Sequence, residues 1–308
     1  MFAKTLFTPI ALFVLLGQTV VAQSYHDRPH HRRYWEGKFL HVTDIHVDPT
    51  YLEGSDPKQL CHRISNLASN NTAGVYGALG TDCDSPIPLV ESFFGFMHEA
   101  LQNVDFIIYT EIPATDIIIG FTICPGDTAC HDRDVVMPRT STDVLSDHKM
   151  VVDYFYKNFD VKHVKFVCIR SRLEMIIYSN SIAHIRSSVA LRYLIQIPTL
   201  GNNDEYLHDQ IAIGPQSLLT NLTKLWAPFN LNLGKTFANG GYFTQDILPG
   251  KLQVISMNTV YFYAKNLLVS DCDKAGSAGD VQLQWIQANL QKARHSRYSV
   301  YLMQVYFD

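Results

Sequence analysis

Phe39-Leu40-His41-Val42-Thr43-Asp44-Ile45-His46-Val47-Asp48-Pro49 reads as an apolar strand running into Asp44 and His46, two metal-ligand side chains set two positions apart. On extended backbone, residues i and i+2 project to the same face, so the pair is expected to grip one ion at a strand's end. Alone the triplet is a weak signal, because Asp-x-His arises by chance in a chain of this size. Its weight comes from two further strand ends downstream.

Val104 to Thr110 is a second buried-type strand, and in α/β proteins functional residues collect just past the carboxyl ends of such strands. Gly126-Asp127 arrives after the fifteen residues Glu111 to Pro125. The glycine lets backbone approach a ligand closely, and Asp127 supplies a carboxylate that can bridge two ions. A third apolar approach, Ile197-Pro198-Thr199-Leu200, enters the turn Gly201-Asn202-Asn203-Asp204 and continues to Tyr206-Leu207-His208. Taken singly, Gly-Asp and Asn-rich segments are ordinary turns. All three fall at the same kind of position, after a strand.

The chain of 308 residues is long enough to bury a substantial core, and 47% hydrophobic with 18% charged residues is a globular composition. A net charge of -4 gives no reason to expect nucleic acid as a partner. Thirteen His and six Cys provide ligand material without a Cys-x-x-Cys zinc pattern. Residues 1–22 carry a short positive start, an apolar run from Leu6 to Leu16 and small residues before Gln23, the form of a signal peptide or an uncleaved signal anchor. Residues 23–37 are polar and basic, a solvated linker. The sequons at Asn70 and Asn221 agree with the secretory route.

Cys61 and Cys83 bracket a Gly/Asn-rich loop and are the natural disulfide candidates in an oxidising compartment. Asp82 and Asp84 read as turn and cap residues. Pro88 to Asn103 carries Leu89, Phe93, Phe96, Met97, Ala100 and Leu101 as a helical core stripe. Helices are expected over 142–159 and Val281 to Ala293, paired strands from Gly240 and Leu252 to Met257, and a last strand at Tyr298 to Met303.

Together, Asp44-x-His46, Gly126-Asp127 and Gly201-Asn202-Asn203-Asp204 resemble the calcineurin-like metallophosphoesterases. The stretches 38–49, 61–63, 82–86, 126–134, 197–208 and 240–263 narrow the resemblance to the fungal endopolyphosphatase family, a branch related to acid sphingomyelinase. The resemblance implies an α/β, four-layer fold: two mixed β-sheets packed face to face, flanked by helices, over residues 38–308. It implies two divalent metal ions (Zn, Mn, Mg, Co or Fe), with Asp44 and His46 on the first, Asp127 bridging and Asn202 on the second. It makes His131 the general acid or electrostatic stabiliser, His208 its alternative, and places Asn203 where most of the superfamily has a catalytic His. The implied reaction is hydrolysis of internal phosphoanhydride bonds of inorganic polyphosphate, in the vacuole lumen or at its membrane through the N-terminal segment. A sphingomyelinase-like phosphodiesterase, an inactive secretory glycoprotein and a secreted location are the alternatives.

The chain also departs from that pattern. Residues 111–125 and about 166–195 interrupt it, and are expected to be retained-intron insertions. After Val300-Tyr301-Leu302-Met303 the family continues into Gly-His and Gly-His-x-His, whereas this chain reads Gln304-Val305-Tyr306-Phe307-Asp308. Three His ligands are therefore expected to be missing, and the fold to be truncated at its C-terminal side.

Overall fold

The structure is a computed structural model that describes residues 39–100, 106–110, 127–159 and 195–303. The signal or anchor segment 1–22, the linker 23–37, residues 111–125, Gly126 and residues 166–194 lie outside the described residues.

The chain enters the sheet with β1 (Phe39–Thr43). It pairs in parallel with β4 (Phe106–Thr110), Val42 opposite Tyr109 and Thr43 opposite Thr110, and β4 pairs in parallel with β5 (Ile195–Ile197). In this three-stranded sheet, ordered β1-β4-β5, all strands end on one side. Val42, Ile107, Tyr109 and Ile197 are buried, as parallel strands covered by helices require. Two short strands, β2 (Val47–Asp48) and β3 (Ser85–Pro86), pair in parallel just beyond β1.

A second sheet is ordered β6-β7-β8. Its β6 (Phe243–Leu248) and β7 (Leu252–Ser256) form an antiparallel hairpin around Gly250, whose φ of 74° suits glycine in the turn. β8 (Ser299–Met303) lies parallel to β7 after the crossover helix α5 (Ala278–His295). The described chain is thus α/β with a three-stranded parallel sheet, a two-stranded parallel pair and a three-stranded mixed sheet. Apolar side chains of both sheets share one buried cluster, including Val42, Ile107 and Ile197 from the first and Phe243, Val254 and Met303 from the second. Ser256 Oγ donates to Thr199 Oγ1 at 3.0 Å inside it.

Helix α1 (Ile87–Ala100) buries Val90, Phe94 and Met97. Of the expected stripe Met97 is buried, whereas Leu89, Phe93, Phe96 and Ala100 are exposed and Leu101 lies outside the described residues. Both rows are apolar, so composition cannot rank them. The rings of Tyr154 and Phe155 choose, stacking on Phe94 at 5.2 Å and meeting it edge-on at 4.8 Å. Those rings belong to α2 (Ser141–Asn158), which starts with a capping box: Thr140 accepts from the Asp143 N–H, and Asp143 accepts from the Thr140 N–H. α2 buries Val144, Val151, Val152 and Phe155, and also Asp147 and His148. Two short helices, α3 (Ser217–Leu225) and α4 (Gly234–Gly240), complete the core with Leu218, Leu219, Leu222 and Phe237. Gly240-Gly241 closes α4, with Gly241 in the left-handed region, rather than opening the expected strand, which starts at Phe243.

Among the described residues no helix is long and apolar enough to cross a membrane. The expected disulfide Cys61–Cys83 is present.

Candidate metal centre

Residues 44–48, 127–129 and 201–204, which follow β1, β4 and β5 in the chain, come together. β1 stops at Thr43, and Asp44 and His46 then both adopt the left-handed backbone region, φ 47° and 41°. The expectation that extended backbone brings them to one face is therefore corrected: two left-handed residues flank Ile45, which is buried. Non-glycine residues held there store local strain of order 1 kcal/mol each. The surrounding bonds hold it, with His46 N–H donating to Asp127 O at 3.3 Å and Val47 N–H to Thr128 O at 3.1 Å.

His46 Nδ1 lies 3.1 Å from Ala129 O. A carbonyl only accepts, so Nδ1 carries the proton and Nε2 is left as the donor atom of the neutral ring. Nε2 lies 3.7 Å from Asp44 Oδ1 and 3.7 Å from Asp127 Oδ2. Those distances exceed a hydrogen bond. They approach the ~3.4 Å that separates two donors at ~2.1 Å from a tetrahedral ion. An imidazole anchored through one nitrogen to a backbone carbonyl is the usual support of a metal-ligating His. Without a cation, burial opposes the charge on His46, but Asp44, Asp127 and Asp84 outweigh it and push the pKa up to about 9. The carboxylates here call for positive charge.

Asp127 is fully buried. Asn203 holds both of its oxygens, N–H to Oδ1 at 2.9 Å and Nδ2 to Oδ2 at 2.5 Å. Tyr109 OH donates to the Asp127 carbonyl at 3.1 Å. Burial raises the pKa of Asp127, against the pull of His46 and the Asn203 bonds. Gly201 is required at its place: a Cβ there would lie 1.8 Å from Asp127 Oδ1 and 2.9 Å from Asp127 Cα.

Asp204, also fully buried, ties the β4 and β5 loops together. It accepts from the N–H groups of Thr128 (2.9 Å), Ala129 (3.2 Å) and Gly201 (2.9 Å). His148 Nε2 stands 3.2 Å from its Oδ1 without good hydrogen-bond alignment. Burial works against the Asp204 carboxylate, but His148 and the three N–H donors hold its pKa below the ordinary value. Arg139 closes the same loops from outside, donating to the carbonyls of Cys130 (2.6 Å), Asn203 (2.5 Å) and Glu205 (3.0 Å).

The structure brings Asp44, His46, Asp127 and Asn203 together, and stacks His131 on His46 with ring centres 4.2 Å apart. Asn202 and His208 form a neighbouring group. Asn202 Nδ2 donates to His208 Nε2 and to Asp209 Oδ1, both at 3.0 Å, and these bonds do not use its amide oxygen. His208 is partly exposed, and burial lowers its pKa against the pull of Asp209. Asp84, read from sequence as a turn residue, accepts from both the N–H and the Nδ1–H of His131 at 2.7 Å. Asp204 and His148 were not singled out either. Their roles depend on partners far apart in the chain, and the one local signal is Asp204 closing the Gly201-Asn202-Asn203 turn.

The α/β scaffold gathers carboxylates around a carbonyl-anchored imidazole, a donor set of the kind that metal ions use. No family model matches the chain. In sequence it is a relative of the fungal endopolyphosphatases. It is 29% identical to the endopolyphosphatase of Neurospora crassa over 299 residues, covering 96% of this chain and 34% of the relative. Against that of Debaryomyces hansenii the identity is 30% over 271 residues, covering 86% of this chain and 32% of the relative. Against that of Saccharomyces cerevisiae it is 29% over 272 residues, with 88% and 35% covered. The chain thus spans about a third of the length of these relatives.

Proposed function

We propose that this chain carries the metal-binding part of an endopolyphosphatase, a hydrolase cutting internal phosphoanhydride bonds of inorganic polyphosphate. The observation that carries the reading is His46 Nε2, freed by the Nδ1–Ala129 bond and set 3.7 Å from both Asp44 and Asp127. The names of the relatives supply the substrate class. In this reading the two sheets belong to a four-layer metallophosphoesterase fold.

Asp44, His46 and Asp127 would hold a first divalent ion, and Asp127 with Asn202 a second. Their donor set, carboxylate, imidazole and amide oxygen, suits Zn, Mn, Mg, Co or Fe. When bound, such ions supply Lewis-acid charge that acidifies water and neutralises phosphoryl oxygens. The chain's own residues do the rest. Asn203 keeps the Asp127 carboxylate in one orientation through two bonds, so no reorganisation is needed during the reaction. A water oxygen bonds to phosphorus, the bridging P–O bond breaks in line, and the water's proton leaves to solvent. In its doubly protonated form His131 gives the Nε2 proton to the departing phosphate oxygen while Nδ1–H stays on Asp84, and the ring regains a proton from solvent; His208 is the alternative donor.

The disulfide Cys61–Cys83 supports passage through an oxidising compartment. With the apolar segment at 1–22 it favours vacuolar delivery, with membrane anchoring through that segment. The test is incubation of the full chain with long-chain polyphosphate and each divalent metal, read on a gel. Mid-length products before free phosphate are the expected result. Loss of terminal phosphate alone, or cleavage only of a phosphodiester, would overturn the reading.

A further inference from the structure

Outside the ligand set, one carboxylate is committed to the site in a way that turn formation does not explain. Asp84 Oδ2 accepts from the His131 N–H at 2.7 Å and Oδ1 accepts from His131 Nδ1 at 2.7 Å. One carboxylate thus fixes both the backbone and the ring of the same residue, 47 positions away. Asp84 is itself pinned on both sides. Cys83 is tied to Cys61, and Ser85 N–H donates to the His46 carbonyl at 3.0 Å while Ser85 pairs with Val47. The His131 ring lies flat on His46, 4.2 Å between centres and 13° between planes.

His46, Asp84 and His131 also bring ligand atoms within 4.8 Å of one another, which raises the question of a metal. The stacking argues against it. Nearly parallel rings lying one over the other point their nitrogen lone pairs side by side, whereas two ligands of one ion must converge on it. Asp84, moreover, already spends an oxygen on each of two N–H donors.

We infer that Asp84 is a positioning residue: it holds His131 with Nδ1 as the donor nitrogen, leaving Nε2 as the atom that acts on the substrate. The inference rests on the reading of His131 as proton donor. The arrangement follows a general logic in which a carboxylate sets the tautomer and orientation of a working imidazole. In Asp84→Asn one acceptor is replaced by an N–H donor, so the two bonds cannot both form. In Asp84→Ala neither can.

The test has two arms on the full chain. The first reads the His131 ring nitrogens by nitrogen-15 NMR at alkaline pH, assigned with His131→Gln. The expected result is the Nδ1–H tautomer in the parent and a shift toward Nε2–H in D84A and D84N, with zinc stoichiometry unchanged. Urea midpoints identify any variant that has not folded, and Asp84→Glu, which keeps both acceptors, is expected to restore the parent tautomer. The second arm reads polyphosphate cleavage: kcat falls about 10- to 100-fold in D84N with KM little changed, and falls less on a p-nitrophenyl phosphodiester, whose leaving group needs no proton. An unchanged tautomer in folded D84A overturns the inference, and so does loss of bound zinc in D84N, which would make Asp84 a ligand. A parent chain that does not cleave polyphosphate refutes the functional reading, while the tautomer arm still decides the role of Asp84.

Discussion

Replacing Gly201 by alanine strikes the centre through a single methyl group. The added Cβ would sit 1.8 Å from Asp127 Oδ1 and 2.8 Å from its Cγ, in a fully buried place. One of two things must give. If the carboxylate swings away, it forfeits the bonds from Asn203 N–H and Nδ2. Hydrogen bonds to a charged group contribute about 1.5–3 kcal/mol each, so the loss is at least about 3 kcal/mol. If the backbone retreats instead, the Gly201 N–H loses Asp204 Oδ2, and overpacking adds about 1–3 kcal/mol. Both routes lead to about 3–5 kcal/mol. With an m-value of about 2 kcal/mol per molar urea, the midpoint falls by roughly 2 M, and metal affinity falls with it because Asp127 is displaced from His46. Equilibrium urea unfolding and zinc titration of the same preparation check both. A loss under about 1 kcal/mol with zinc affinity intact would refute the placement of Asp127 against the β5 loop.

Asp204→Ala removes the acceptor of three backbone N–H groups and strands His148 in the core; breaking a buried pair in this way is expected to cost about 3–5 kcal/mol, measured by urea unfolding. His62 bridges Asp48 Oδ2 (3.0 Å) and Asp134 Oδ2 (2.7 Å). Burial alone would lower its pKa, but the two carboxylates raise it in the fold. The His62 contribution is therefore fully present below its unfolded pKa of about 6.5 and is lost as pH rises through the folded value; His62→Ala should flatten that part of the stability–pH curve, and an unchanged slope would count against the bridge. Removing the disulfide by Cys83→Ser together with Cys61→Ser frees a link across 22 residues, expected to lower stability by about 3 kcal/mol, read as a drop in thermal midpoint.

The parts of this centre that were legible in the sequence share one property: each lies downstream of an apolar strand, Asp44 and His46 directly and Asp127 after the intervening residues 111–125. Asp44, His46 and Asp127 could be placed because strand ends and ligand-type residues coincide in the chain. How Asp44 and His46 converge was not legible, since left-handed backbone at Asp or His leaves no mark that an extended reading would notice. Asp84 was missed because Cys83-Asp84-Ser85-Pro86 is ordinary turn chemistry; its function comes from a partner that only tertiary contact supplies. The α1 stripe was right at Met97 and wrong at Leu89, Phe93 and Phe96 for a related reason: two adjacent rows were both apolar, and the aromatic rings of α2 decided between them. The short helices α3 and α4 carry no capping side chain on their N-terminal residues, so the usual start signal was absent.

The most direct test of the central claim is equilibrium binding of zinc to the full chain, with His46→Ala and Asp127→Asn beside it. Stoichiometric binding is expected in the parent and its loss in both variants, with each variant still folded by circular dichroism. Binding that survives in either variant, or no binding by a folded parent, would contradict the assignment of Asp44, His46 and Asp127 as a metal centre.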